Sequence, residues 1–339
     1  MPKSATGPTE QAFVPAGQAK EWNWNPDLPI PVSPLFSWPP KPVAFLKWIA
    51  GYWLALSSVV IELGLAFGIW WLTQPAIEAM QQLSLNWVVV IWLRNVALLF
   101  LVAGFLHLWL YGFKGQGKTR KYDPRDLAMS NGRFTFNNQV FDNMFWSLVS
   151  GVTVWTAFEA LYFFAAANGL APLATLSEAP IWSALWFLLI PLWASFHFYW
   201  IHRFLHWPPL YRLAHSLHHR NVNIGPWSGL AMHPFEHLFY FSSILIHLIV
   251  PSDAVHVLFH FYNLALNPAV SHSGFEKLWI KNKARMPLGD FFHQLHHRYF
   301  ECNYGTAEVP WDAVFGSFHN GTPEATRRMR ERQMRFRRV

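Results

Sequence analysis

Four apolar runs, each long enough to cross a bilayer, constrain this chain more than any other feature. They fall at about residues 48–72, 87–113, 144–167 and 181–201. Crossing the hydrocarbon core takes roughly 20 helical residues. A segment removed from water must also satisfy its own backbone, which favours helices. Composition agrees: 53% of the 339 residues are hydrophobic and 13% are charged, a charged share about half the usual one. The 20 Trp and 30 Phe suit lipid-facing and interfacial positions. The expected fold is all-α, an integral membrane protein with about four transmembrane helices and a cytoplasmic, histidine-rich helical cap.

Basic residues set the expected orientation. Lys114, Lys118, Arg120, Lys121 and Arg125 follow the second run, and Arg203, Arg212 and Arg220 follow the fourth. Arg327, Arg328, Arg330, Arg332, Arg335, Arg337 and Arg338 crowd the C-terminus, while the loops after the first and third runs hold no Lys or Arg. Four crossings from a cytoplasmic start put both termini and the cap on the cytoplasmic side. The net charge of +7 resides largely in these segments. Anionic headgroups explain it better than nucleic acid does. The single cysteine, Cys302, allows no intrachain disulfide and reads as a bystander. Residues 1–42 are polar and proline-rich and read as a disordered or extended arm. Residues 43–194 hold transmembrane helices and a cytoplasmic loop, and 319–339 form a basic tail.

A further apolar stretch, 237–266, is broken by Pro251-Ser252-Asp253. Each half is about fifteen residues, or roughly 22 Å of helix, short of a full crossing. A hairpin dipping into one leaflet and a packed pair of core helices are equally open readings. Ionisable residues inside spans are functional candidates. Glu62 and Arg94 lie about 15 Å and 10 Å from the outer ends of their helices, so a structural ion pair between them is expected. Glu159 and His107 read as interhelical polar contacts.

The second half of the chain concentrates histidine: His202-Arg-Phe-Leu-His206, His215-Ser-Leu-His218-His219, His233-Pro-Phe-Glu-His237 and His293-Gln-Leu-His296-His297. Residues at i, i+3 and i+4 share one helix face. The turn Trp207-Pro208-Pro209 ends the fourth run and lets His215 onward fold back on His202 and His206. Single histidines elsewhere (His107, His197, His247, His256, His260, His319) read as ordinary core or surface residues. Imidazole suits zinc, copper, iron and nickel. A structural zinc site needs only four ligands, often thiolates, and this chain offers more than twice that number without usable thiolates. Two metals sharing the clusters is the economical reading. A redox metal at a membrane surface can activate O2 and attack an unactivated C–H bond of a lipid, which zinc cannot.

At this point the residues become familiar. Tyr199-Trp200-Ile201-His202-Arg203 with His206, then His215-Ser-Leu-His218-His219, His233-Pro-Phe-Glu236, Ser271-His272-Ser273 and His293-Gln-Leu-His296-His297 resemble the sterol desaturase/fatty acid hydroxylase superfamily. The ending Asn303-Tyr304-Gly305, Trp311-Asp312 and Phe315-Gly316 is similar to that family's closing motif. The resemblance covers roughly residues 195–318, a fatty acid hydroxylase-like di-iron domain. It implies two iron ions held by His202, His206, His215, His218, His219, His272, His293, His296 and His297, with His233 as a tenth ligand. It also implies O2, an external electron donor such as a small cytochrome or ferredoxin with its reductase, and a sterol, fatty acyl or polar-lipid substrate that is hydroxylated or desaturated. Zinc could replace the iron. Many relatives carry an aspartate about seven residues before the first ligand, where this chain has Ser195. Asp290, Glu236, Glu301 and Asp312 are candidates for orienting the ligands.

Competing readings remain. A polar-lipid headgroup hydroxylase, such as one acting on ornithine lipids, is as compatible as a sterol or acyl-chain enzyme. A histidine-rich metal transporter would place its ligands near the bilayer midplane, whereas these follow the last run. A membrane zinc hydrolase would want His-Glu-x-x-His, and His233-Pro-Phe-Glu-His237 has the wrong order.

Overall fold

The computed structural model describes residues 22–54 and 57–337. Three helices are long and apolar enough to cross a membrane: α3 (Leu85–Gly112), α4 (Gln139–Ala167) and α5 (Pro180–Leu205). A fourth candidate crossing is the bent pair α1 (Pro42–Trp53) and α2 (Ser58–Leu72), whose axes differ by 46°. Ser57 starts α2 as its N-cap, accepting from the Val60 N–H and donating to the Tyr52 carbonyl. The outer faces carry exposed Leu93, Leu101, Phe105, Leu185 and Leu188, the apolar surface that lipid would cover. These features bear out an all-α membrane protein.

Inside the bundle the polar groups pair, though not all as expected. Arg94 does not meet Glu62. Its guanidinium pairs with Glu159 and also donates to Gln74 and Asn95. Asn95 in turn donates to the second Glu159 oxygen at 3.0 Å. Arg94 and Glu159 sit on the packed helices α3 and α4. Helix α2 instead packs on α8 (Ala254–Ala265), where Glu62 accepts from Asn263 at 3.1 Å. The expected Glu62–Arg94 pair is thus replaced by Arg94–Glu159 because helix rotation, not depth alone, selects partners.

Of the two readings for 237–266, the packed one holds. Helix α7 (Pro234–Phe241), a tight turn of helix at Ser242–Leu248 and α8 lie against α2, α4 and α5, and α8 is buried along almost its whole length. Below the spans lies a cap built from a wide turn at Tyr211–His215, α6 (Ser216–His219), α9 (Asn267–Ser271) and α10 (Phe291–Tyr299). It also contains an unanticipated antiparallel hairpin, β1 (Lys277–Ile280) with β2 (Lys283–Pro287). Its two-residue tip, Lys281-Asn282, has φ of 53° and 57°, the conformation such a turn requires. A tip without glycine between short charged strands gave no readable signal.

The proline-rich arm is extended and docked where it is described. The Asn23 N–H donates to the Tyr122 carbonyl at 2.8 Å, the Trp22 ring lies edge-on to Phe291, and the Arg298 guanidinium sits 3.4 Å from the Trp22 ring. The first 21 residues of the expected arm lie outside the described residues. At the other end, the basic tail forms α11 (Pro323–Arg337). The basic loop 114–125 shares this end of the molecule. Gln116 donates to the Lys277 carbonyl, and Arg298 pairs with Asp123.

Candidate metal centre

Nine histidines gather in two adjacent buried groups. His202, His206, His215, His219 and His296 form one, and His218, His272, His293 and His297 the other; within each, one nitrogen per ring lies within 4.8 Å of all the others. The allocation follows helix geometry. Residues at i and i+4 lie nearly on one line along a helix, while i+3 is rotated to the other side of that line. Accordingly His202 and His206 share a group, as do His215 and His219, and as do His293 and His297. The i+3 residues, His218 and His296, each cross to the other group. The expectation that i, i+3 and i+4 converge is right for the centre as a whole, and the structure divides it between two positions.

The nitrogens face each other at ligand-like separations. In the first group His206 Nε2 lies 3.1 Å from both His215 Nε2 and His219 Nε2, and His219 Nε2 lies 3.0 Å from His296 Nε2. In the second, His272, His293 and His297 form a triangle with Nε2 edges of 2.9, 3.1 and 3.1 Å. With metal–nitrogen bonds of about 2.1 Å, neighbouring ligands sit about 3.0 Å apart at right angles and about 3.4 Å apart in a tetrahedron. The observed edges lie within the range that a shared ion would span.

The opposite ring nitrogens are held by the fold. His202 Nδ1 donates to the Tyr304 carbonyl at 2.6 Å, His296 Nδ1 to the Cys302 carbonyl at 2.7 Å and His272 Nδ1 to the Pro268 carbonyl at 3.0 Å. His215 Nδ1 donates to Glu236 Oε1 at 2.7 Å. With the proton committed to Nδ1, the neutral ring offers a bare Nε2 lone pair to the centre. The free nitrogen of His202 is buried and finds no partner among the described residues. Burial holds the His218 imidazole down to about 4. Burial, then neighbouring imidazoles, holds His206, His219, His272, His293, His296 and His297 well below the usual range. Neutral rings are the ligating form. Convergent lone pairs at these spacings, on buried rings, fit a pair of metal ions.

The closing motif earns its place through the backbone. Asp312 accepts from the Tyr304 and Gly305 N–H groups and from the Ser317 hydroxyl. It thereby fixes the Tyr304 carbonyl that orients His202. Asp290 caps α10 by accepting from the His293 N–H at 2.6 Å. Glu301 is half exposed, 3.6 Å from His206 Nδ1, and accepts from the Tyr304 hydroxyl. Gly229 permits a close approach on the other side. A Cβ there would stand 2.2 Å from the Pro268 oxygen that orients His272. None of these backbone acceptors was legible beforehand, because carbonyl direction depends on the tertiary path.

One expected donor lies apart. His233 belongs to neither group; its Nδ1 accepts from the Phe235 N–H as the N-cap of α7. The proline after it starts a helix, which turns the ring to that helix's own backbone. The histidines set aside from the sequence also lie outside both groups. Examples are His247, bonded to Ser252 and His260, and His256, bonded to the Ser183 carbonyl. His237 bridges Ser150 and the Leu230 carbonyl.

A cavity reaches the centre from the bundle. Trp48, Tyr52, Leu192 and Phe198 line it together with His202, His215, His218, His272 and His293. Pro191, which interrupts the hydrogen bonding of α5, also lines it.

Residues 187–317 match the family described as fatty acid hydroxylase. Among curated proteins, the chain is 32% identical over 154 residues to a Delta(7)-sterol 5(6)-desaturase of Aspergillus fumigatus, covering 44% of this chain and 42% of that one. It is 30% identical over 148 residues to a Delta(7)-sterol 5(6)-desaturase of Gibberella zeae, covering 42% and 44%. It is 26% identical over 253 residues to a Delta(7)-sterol-C5(6)-desaturase of Nicotiana tabacum, covering 70% and 86%. The chain thus spans less than half the length of the two fungal relatives. No solved structure matches it.

Proposed function

We propose, for a chain that belongs through residues 187–317 to the sterol desaturase/fatty acid hydroxylase superfamily, that it is a membrane-bound oxidoreductase with two irons acting on a membrane lipid. The observation that carries this reading is the pair of buried imidazole groups, five of whose rings line a cavity shared with residues of the bundle. His202, His206, His215, His219 and His296 would hold one ion, and His218, His272, His293 and His297 the other. All-imidazole donor sets suit iron, and zinc has no redox chemistry with which to activate O2. When bound, the irons supply reductive activation of O2 toward an unactivated C–H bond, with electrons from an external carrier.

The chain's own residues do the rest. The backbone carbonyls of Tyr304, Cys302 and Pro268 and the carboxylate of Glu236 fix the rings. The apolar flank formed by Leu192 and Phe198 receives hydrocarbon and keeps water from it. The basic loop and basic tail share the end of the molecule that bears the histidines, which supports a cytoplasmic centre. The relatives' names make a sterol the leading substrate class. Hydroxylation and desaturation differ only in the step after the first hydrogen abstraction.

The test is a comparison of membrane lipids by mass in hosts with and without the chain, aerobic and anaerobic, with a competent reductant. A lipid that gains one oxygen or loses two hydrogens only in air, and only with His202 and His293 intact, is the expected result. Lipids unchanged under those conditions, in protein shown to carry iron, overturn the proposal.

A further inference from the structure

The β1–β2 hairpin and the loop after α3 make one strongly basic face. Gln116 of the loop accepts from the Trp279 N–H at 2.9 Å and donates to the Lys277 carbonyl at 3.0 Å, and the Glu276 N–H donates to the Arg120 carbonyl at 3.0 Å. These bonds set a loop carrying Lys114, Lys118 and Arg120 against a hairpin carrying Lys277, Lys281, Lys283 and Arg285. Glu276 is the one acid on residues 114–120 and 276–287, and Arg120 at 3.5 Å and Lys277 at 3.9 Å take it up. Lys114, Lys281, Lys283 and Arg285 are exposed. Among the described residues, none of these four has a carboxylate within ion-pair distance.

The other side of the hairpin fixes where this face stands. Leu278, Ile280 and Met286 pack with Leu106 and Leu110 at the end of α3. Ile280 adjoins the tip, so the tip lies against α3. The same end of α3 exposes Phe105 and Leu108, with exposed Phe113 just beyond it. The cations therefore stand where the lipid-facing side of a candidate crossing helix stops, the level at which a bilayer changes from hydrocarbon to headgroups. A soluble acidic protein would meet an apolar border there. A lipid, with its headgroup on the cations and its chains beside α3, matches both the charge and the border.

We propose that this face binds anionic phospholipid headgroups of the protein's own bilayer through Lys114, Lys281, Lys283 and Arg285. The hairpin is the chain between His272 and His293. Its stem is tied beside the first of them, where the Gly289 N–H donates to the Phe275 carbonyl at 2.9 Å and to the Ser273 hydroxyl at 3.2 Å. Headgroup binding thus anchors the four-histidine group at the membrane surface. The proposal needs the membrane location alone and stands apart from the chemistry proposed for the histidines.

The test uses the full iron-loaded chain in phosphatidylcholine vesicles. Ala284 is exposed on β2 between Lys283 and Arg285, and Ala284→Cys carries a fluorophore there; Cys302 is buried and stays unlabelled. Phosphatidylglycerol or phosphatidylcholine bearing a nitroxide near the top of one acyl chain is titrated in. At about 0.01 M salt, half-quenching should need about fivefold less of the anionic lipid, the enrichment that one Lys or Arg near an anionic surface gives. The gap should close at about 1 M salt, where charges are screened within a few ångströms. Lys281→Gln/Lys283→Gln/Arg285→Gln should bring the two lipids to nearly equal quenching, while Lys281→Arg/Lys283→Arg should keep the gap. Lys114→Gln/Lys281→Gln should narrow it and stands in if the triple variant does not fold; iron content and circular dichroism check each. Equal quenching by the two lipids in the parent at low salt, or a full gap in the folded variants that lack the charges, overturns the proposal. So does quenching by neither lipid, which would leave the face to an acidic soluble partner.

Discussion

Replacing Glu236 tests the centre most sharply. Its Oε1 lies 2.7 Å from His215 Nδ1, and the two side chains are 3% and 1% exposed. Burial pushes the Glu236 carboxyl up and the hydrogen bond from His215 draws it back down, below the usual carboxylate range. A carboxylate behind a ligating imidazole raises its basicity and fixes its ring, and losing such a partner costs about 10- to 100-fold in metal affinity, or about 1.4 to 2.7 kcal/mol. Glu236→Gln keeps an acceptor and loses the charge, so it should fall near the lower figure. Glu236→Ala also leaves the His215 N–H buried without an acceptor and should approach the upper one. The assay is chelator competition on the purified protein with iron counted by elemental analysis. His215 belongs to the five-histidine group, so loss should pass through a state holding one iron while the four-histidine group stays loaded. Both variants retaining two irons at the parent's chelator resistance would refute the reasoning.

The same geometry makes other outcomes testable. His233→Ala should keep the parent's iron content and lose about 0.5–2 kcal/mol of stability with the α7 cap; a fall in iron to that of His272→Ala would make His233 a ligand after all. Reversing Arg94 or Glu159 alone leaves a buried charge unpaired and should cost about 3–5 kcal/mol, read as a lower midpoint in thermal unfolding. The double swap should recover part of that loss, whereas swapping Arg94 with Glu62 should recover none. Gly229→Ala drives a Cβ into backbone, so it should cost about 1–3 kcal/mol or more and weaken iron retention at His272, measured by the same chelator series.

Much of this architecture could be read from residues in order. The apolar runs required helices because backbone in lipid has no other partner, and three of the four runs reappear as long single spans, the first as the bent pair. The histidine spacings predicted a shared centre because helical periodicity is local and fixed. Long-range choices were another matter. Glu62 and Glu159 are equally plausible partners for Arg94 on depth, and only the rotation of α2 toward α8 and of α3 toward α4 decides between them. His233 looked like its neighbours in the motif, yet its ring serves the helix it begins.

The sequence by itself determined that the chain enters a membrane, that imidazoles dominate its chemistry and which superfamily it resembles, since each rests on composition or on spacing within one helix. The tertiary structure alone decided that nine rings divide five and four and that carbonyls of Tyr304, Cys302 and Pro268 aim three of them. Those features join residues up to about a hundred positions apart, as His202 with Tyr304. Their relative placement comes from packing between elements, for which no local pattern carries a signal.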